Sequence, residues 1–405
     1  MEKTVIHVGD PSADLAGRAH LAIQAAIDYA ASLGGGTVKL GEGSFRLENT
    51  VHLRSHVTLE GIPGKTILYQ SPERNSPLLA DADLHERQIT VEHPERFPVG
   101  QTVTIRKSDE SMGFGDTVAV VVGKDGPVLY LDREIHATVL MQQGGMATTQ
   151  APVISGNGCE HAAVLHLIVE GDKENPTFAE GCRNGGIYLF DSRHVRIEGC
   201  AVRNYHGDGI SYQHCSNIEV VHCSCFRNSG KGIHPGSGTT GTLIRHSSFM
   251  ENGMDGIFLC WRVRESAVEH CTSIGNGMSG LSIGHKDTHN RIRFNRFSEN
   301  QYYGIFFRNE LEPMAANCNH VEGNIIEDNG SETMGYVGIR IRGYTHDVAL
   351  ANNRISFSKA PLDRTIGICL EEHTSRILME NNEFVNCAMV SHSHWLPDAE
   401  RESKL

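Results

Sequence analysis

Three short strings gather side chains that could move protons or hold an anion: Cys260-Trp261-Arg262, His285-Lys286-Asp287 and Arg308-Asn309-Glu310. Trp261, His285 and Asn309 stand 24 residues apart. β-Elimination from a uronic sugar needs three groups: a cation for the carboxylate, a base for the C5 proton and an acid for the leaving oxygen. C5 epimerisation uses much the same set. Arg262, Arg308 and Arg342 suit the first role, because a guanidinium meets a carboxylate with two bonds. Lys286 or His285 suits the second and His234 the third. A second chemistry competes. Asp287 and Glu310 fall one repeat apart near one turn, at a predicted separation of about 5 Å, the spacing of a retaining glycoside hydrolase. Glu310 with Glu371 or Asp255 would lie farther apart and suit inversion.

These residues can cooperate only if the fold brings them to one surface, and the sequence contains the ruler that places them. Gly186-Ile187, Gly209-Ile210, Gly232-Ile233, Gly256-Ile257, Gly280-Leu281, Gly304-Ile305, Gly338-Ile339 and Gly367-Ile368 return at spacings of 23, 23, 24, 24, 24, 34 and 29 residues. A period of that size means one small unit stacked on itself. Each unit opens with apolar alternation, as in Ile187-x-Leu189 and Ile305-x-Phe307, and most carry a second alternating run, as in Val195-x-Ile197. Period two with β-branched residues marks half-buried strands, and turns rich in Gly and Asn separate them. The result is an all-β solenoid, a parallel β-helix. Two further columns support the register. Asn204, Asn228, Asn252, Asn276 and Asn300 are predicted to stack their amides, and Cys200, Cys223, Ser247, Cys271 and Asn295 form a second inward-facing ladder.

Coils stack about 4.8 Å apart, so residues of one column become neighbours. The outward columns and the turn after them gather His234, Trp261, Arg262, His285, Lys286, Asp287, Arg308, Asn309, Glu310 and Arg342, with Gln213, Tyr344 and Glu371 at the margins. The expected catalytic set is His234, His285, Lys286, Asp287, Arg308 and Glu310. Gln213, Trp261, Arg262, Asn309, Arg342, Tyr344 and Glu371 are expected to hold substrate. Phe258, Phe306 and other aromatics flank the groove, as in a sugar site. Gly236 and Gly284 are expected to clear space for a ligand. Asp208-Gly209 and Asp255-Gly256 read as turn residues. The excess of basic groups favours an acidic sugar. A non-catalytic glycan-binding or tailspike-like β-helix is the alternative of a different class.

Outside the repeats, residues 13–33 read as an amphipathic helix ended by Gly34-Gly35-Gly36, a natural cover for the open end of a solenoid. Residues 84–150 break the period and read as a small antiparallel β insertion, with 1–83 before it, coils over 151–390 and a tail over 391–405. The segment Lys107–Asp116 reads as a polar loop. The run Ala22-Ile23-Gln24-Ala25-Ala26-Ile27-Asp28-Tyr29-Ala30, followed by Gly34-Gly35-Gly36-Thr37-Val38-Lys39-Leu40, resembles the N-terminal signature of the pectate-lyase-like superfamily. That resemblance implies a right-handed parallel β-helix. It leaves activity open, because the fold hosts lyases, hydrolases, epimerases, fructosyl transferases and tailspikes. The calcium-binding Asp cluster of pectate lyases is not evident, so no metal ligand or cofactor is assigned. The Asp-Asp and Gly-His-Gly signatures of polygalacturonases are absent.

The chain has 405 residues, a net charge of −13 and a mean hydropathy of −0.29. The charge disfavours nucleic acid as partner, and no apolar run is long enough to span a membrane. A carbohydrate substrate and a homo-oligomer remain the expected partners. The start Met1-Glu2-Lys3-Thr4-Val5-Ile6 shows no apolar leader, which predicts a cytoplasmic location if that terminus is native and a secreted or periplasmic one otherwise. The eleven cysteines include no CxxC pair and read as reduced structural thiols.

Overall fold

The computed structural model describes residues 4–107, 115–172 and 178–392. Most of the Lys107–Asp116 loop and of the tail lie outside them. Three long parallel sheets of 11, 13 and 11 strands run the length of the molecule. Each coil gives one strand to each sheet, as Ile187–Phe190, Arg196–Glu198 and Ala201–Arg203 do in one coil. The glycine-isoleucine ruler is the register of the first sheet: Ile187, Ile210, Ile233, Ile257, Leu281, Ile305, Ile339 and Ile368 pair in succession. All eight are fully buried in one apolar core that runs through every coil.

The polar ladders close the corners of this core. Asn228 Nδ2 donates to Asn252 Oδ1 at 3.0 Å, Asn252 to Asn276 at 3.0 Å, Asn276 to Asn300 at 2.9 Å and Asn300 to Asn329 at 2.8 Å. Asn204 is not a rung. The backbone N–H of Tyr205 takes that register and donates to Asn228 Oδ1, while Asn204 turns out to Glu170. Asn276 Nδ2 also donates to Phe249 O and Ser273 Oγ. Replacing it by Leu leaves several buried groups unpaired at about 1–3 kcal/mol each. Asn276→Leu should therefore lower the urea midpoint strongly, whereas replacing exposed Asn381 should leave it nearly unchanged.

The helix at the N-terminal end spans His20–Ser32 and buries Ile23, Ala26, Ile27 and Ala30. It starts later than the sequence suggested, because Leu15–Ala16 pairs as a strand with Val8 and Gly9. The antiparallel insertion has six strands and its own apolar core around Phe97, Val103, Ile105 and Leu129. It leaves the solenoid earlier than residue 84, since Asn75–Pro77 already pairs with Met146–Thr148. It walls the first sheet only at its N-terminal end, where His52, Thr102, Arg133, Tyr188 and Phe190 border a cleft of about 90 Å³.

Two covers bury most of the outer face of the first sheet. Residues around Glu180–Asn184 lie over Ser211, Gln213 and His234, with Gly181 O accepting from Ser211 Oγ and Gln213 Nε2. Met334 packs with Tyr303, Phe306, Val337 and Cys369 farther along. A cleft remains between the two.

Candidate active site

That cleft has a volume of about 160 Å³ and is lined by Met254, Asp255, Phe258, Met278, Ser282, His285, Phe306, Arg308, Asn309 and Glu310. Phe258, Ser282 and Phe306 stand side by side in the register of successive strands. Past Ile283 the chain reverses through two left-handed residues, His285 at φ 43° and Lys286 at φ 66°. This reversal aims the His285 imidazole at Glu310 of the next coil, with Nε2 2.9 Å from Glu310 Oε1. The His285 backbone N–H donates to the same oxygen at 3.3 Å. Cys260 Sγ lies 3.0 Å from His285 Nδ1 and fixes the other side of the ring. Glu310 is thereby held by one oxygen, and among the described residues Oε2 has no partner.

Arg308 lies flat across the floor. Its guanidinium is 4.5 Å from the centre of the Phe258 ring. Nη1 donates to Ser282 Oγ at 2.8 Å, and Nη2 donates to Leu259 O at 2.7 Å and Asp287 Oδ2 at 3.3 Å. Asp287 does not line the cleft. It is fully buried, accepts from the backbone N–H groups of Val263 and Gly284, and is pushed up to about 7 by burial against the opposing pull of Arg308. Its place is beneath Arg308, so it and Glu310 do not face each other across a substrate.

Gly284 serves this arrangement rather than clearing room for a ligand. A Cβ there would sit 2.7 Å from Arg308 Nε and 2.8 Å from Arg308 Cβ. Gly284→Ala should displace the guanidinium and cut activity at least tenfold, with a much smaller change in melting temperature; a fully active variant would dismiss Arg308 from the site. The space over Gly236 is likewise taken, by the Gln213 side chain and Cys260 O.

Asp255 is more than a turn residue. Its carboxyl edges the cleft, accepts from Ser279 N–H at 3.0 Å, and is pushed up to about 6 by burial. Asp208 is also no simple turn residue. It is fully buried and its Oδ2 lies 2.8 Å from His234 Nδ1. Burial opposes its charge, but Lys231 and His234 outweigh burial and hold the carboxyl below its usual value. Lys231, with no exposed surface, reaches Glu180 Oε1 at 3.2 Å and lies 4.9 Å from the Phe258 ring centre. His234 is 1% exposed, and among the described residues its buried Nε2 has no partner. The ligand atoms of Glu180, Cys182 and His234 lie within 4.8 Å of one another. Asp255, Lys231 and Asp208 were missed as functional residues, and the signal that could have found them is one shared column, the position before the repeat glycine. Glu180 and Cys182 were not, because they lie in a link outside the repeat.

The remaining expected residues are dispersed. Gln213 is buried under Gly181. Trp261 is half-buried, edge-on to His285, and Arg262 is exposed beside it. Lys286 is exposed, and Asn309 is on the rim of the cleft. Arg342 and Glu371 are ion-paired at 2.8 Å in a separate group with Arg340, and Tyr344 stacks on His373.

A family profile described as "Periplasmic copper-binding protein (NosD)" matches residues 165–356. Among solved structures, the A-module of the mannuronan C-5 epimerase AlgE6 of Azotobacter vinelandii is 16% identical, with TM-score 0.59, 93% of this chain covered and 92% of that one. The A-module of AlgE4 from the same organism is 14% identical, with TM-score 0.58 and coverages of 93% and 94%. A tailspike of E. coli bacteriophage HK620, in complex with a hexasaccharide, is 13% identical, with TM-score 0.57 and coverages of 95% and 61%. These similarities show the fold: the chain is a parallel β-helix. No curated protein matches it in sequence. The family match corrects the cytoplasmic expectation, which rested on the first residues alone: the matched family is periplasmic, pointing to a location outside the cytoplasm. Among the described residues, no helix is long and apolar enough to cross a membrane.

Proposed function

We propose that this β-helix is a carbohydrate-active enzyme that removes the C5 proton of a uronic-acid residue in an acidic glycan, leading to β-elimination or epimerisation. The observation that carries the reading is Glu310. One of its oxygens is fixed by His285 and the other, among the described residues, has no partner, in a cleft shared with the Arg308 guanidinium. Glu310 acts as the base and His285 orients it. Arg308 and Asn309 meet the sugar carboxylate and stabilise the negative charge that develops when C5 loses its proton. Asp255, holding its proton up to about pH 6, donates to the leaving oxygen. Phe258 and Phe306 give the sugar ring apolar faces. These roles differ from those expected from sequence, which made His285 or Lys286 the base and His234 the acid. The similarity in shape to mannuronan C-5 epimerases agrees with an acidic polysaccharide as substrate.

A second reading, glycoside hydrolysis, is favoured by one observation: a carboxyl that keeps its proton and a carboxylate line the same cleft, as a general acid and its partner would. Incubation with uronic oligosaccharides separates the two. Absorbance near 235 nm, from the unsaturated product, or deuterium uptake at C5 supports proton abstraction. New reducing ends without either would establish hydrolysis instead, and binding with no product would leave a glycan-binding module.

The name of the matched family carries copper. Among the described residues, Glu180, Cys182 and His234 each bring one ligand atom to within 4.8 Å of the others, a donor set that suits a soft metal ion. The glycan chemistry uses none of these three residues.

A further inference from the structure

At the N-terminal end of the first sheet, three separate parts of the chain meet around a hollow that the chemistry above leaves unused. Its floor is the sheet, with Ser155 beside Tyr188 and Asn157 beside Phe190 in register. One wall is the antiparallel insertion, which brings Thr102, Arg133 and His136. The other is the cover over the sheet, which brings Arg183. We infer that this hollow is a second glycan site, separate from the cleft at Glu310, and that it holds one carboxylate-bearing sugar residue between Arg183 and Arg133. The ligand class rests on the proposed function, but the site takes no part in the reaction.

The first observation is charge. The chain carries a net charge of −13, yet two guanidiniums and two imidazoles line the hollow and no carboxylate does. Part of that charge is already balanced. Arg133 Nη2 lies 2.9 Å from Asp132, and Arg54, in the adjoining hollow, lies 2.9 Å from Asp28. Burial, and after it the nearby arginines, push the His52 and His136 imidazoles down, so both are neutral at pH 7. Arg183 is the unbalanced cation. Among the described residues it has no ion-pair partner, and its buried Nε has no hydrogen-bond partner. Asp116 feels Arg183, but burial pushes it up to about 6 and Arg106 acts on it more strongly. A buried guanidinium nitrogen without an acceptor costs free energy, and an entering carboxylate can meet the fork with two bonds.

The second observation is the lining. Phe190 and Val120 give apolar surface for a sugar ring, and Ser155 and Asn157 give partners for its hydroxyls. A bare anion would use neither. The hollow, of about 90 Å³, opens into one of about 520 Å³ that shares His52, Arg133, Ser155 and Asn157 and leaves room for further residues of a glycan. The third is that the walls are fixed beforehand. Tyr188 OH donates to Cys182 O at 3.0 Å and ties the cover to the floor, and His52 Nε2 lies 2.9 Å from Thr102 Oγ1 and ties the insertion to it. Walls ordered before binding lose less freedom when a ligand arrives. Tyr188 and Phe258 stand three coils apart, about 14 Å. The cover seated on Ser211 and Gln213 separates the hollow from the cleft.

The test is calorimetric titration of the full chain with a mannuronate disaccharide, short enough that one molecule fills one site, and with its neutral, carboxyl-reduced form. The wild type should bind two acidic molecules. Arg183→Gln should weaken one of them about tenfold or more, the effect of losing a charged hydrogen-bonding partner, and leave the other. Arg133→Gln, on the opposite wall, should weaken the same one, which excludes mere unseating of the cover. Arg308→Gln should weaken only the other. The neutral form and inorganic phosphate should not compete at the Arg183 site. A single equivalent that Arg308→Gln removes, two undiminished equivalents in Arg183→Gln, or phosphate competing as well as the disaccharide overturns the proposal. Two equivalents with no product would strike the reaction and keep this site, whereas turnover with one equivalent would strike this site alone.

Discussion

Glu310→Gln should abolish turnover of a uronic oligosaccharide, lowering kcat about 10³-fold while KM changes little, since a positioned base contributes about 10²–10⁴. The substitution keeps the shape, and an amide oxygen can still accept from His285 Nε2, 2.9 Å away in the native pair. What it removes is the carboxylate oxygen that His285 does not hold. Deuterium uptake at C5 should disappear together with product, because both require the same proton transfer. His285→Ala should behave differently. It leaves the carboxylate in place but unfastened, so activity falls by a smaller factor and Glu310 loses its fixed direction. Normal C5 exchange in Glu310→Gln would remove this residue from the role of base. Equal losses in Glu310→Gln and His285→Ala would move that role to the imidazole.

The parts of this site differ in how legible they were. Inward residues such as Ile257, Leu281 and Ile305 could be read directly, because alternation and a 24-residue return determine both their face and their neighbours. His285, Arg308, Asn309 and Glu310 followed from the same ruler, since turns in successive coils stack as the strands do. Asp287 did not follow. Two consecutive left-handed residues fold the turn back, and a side chain that counts as outward by alternation ends beneath Arg308. Asp255 was hidden for another reason. An Asp before a strand glycine is ordinary turn chemistry, and only burial reveals its second use. That burial comes from side chains in neighbouring coils and from covers whose sequences lie outside the repeat. Residues around Glu180–Asn184 are such a cover, and no period points to Cys182 or Glu180. The same cover explains why His234 and Gln213, expected to meet substrate, are sealed from solvent.

Asp255→Asn should separate the two halves of the proposed reaction. With Glu310 intact, C5 exchange continues, but the leaving oxygen receives no proton, so chain cleavage falls about 10²–10⁴-fold. In the wild type, cleavage needs Asp255 protonated, and kcat/KM should decline as pH rises through about 6. The variant should lose that alkaline limb. The same carboxyl ties activity to stability. Its folded value is raised above 3.8, so between 3.8 and about 6 the folded chain binds more protons than the unfolded one, and its contribution to stability falls as pH rises. Asp287 adds the same sign up to about 7. His52 and His206, pushed down by burial to about 4 and about 3, contribute the opposite sign below 6.5. The whole-chain profile therefore mixes both, and the informative quantity is the difference between variant and wild type. Asn is neutral at every pH, so Asp255→Asn should gain melting temperature relative to wild type from pH 4 to pH 7.5. A flat difference would mean that Asp255 titrates as an ordinary carboxyl, and with that the general acid of the mechanism would be lost.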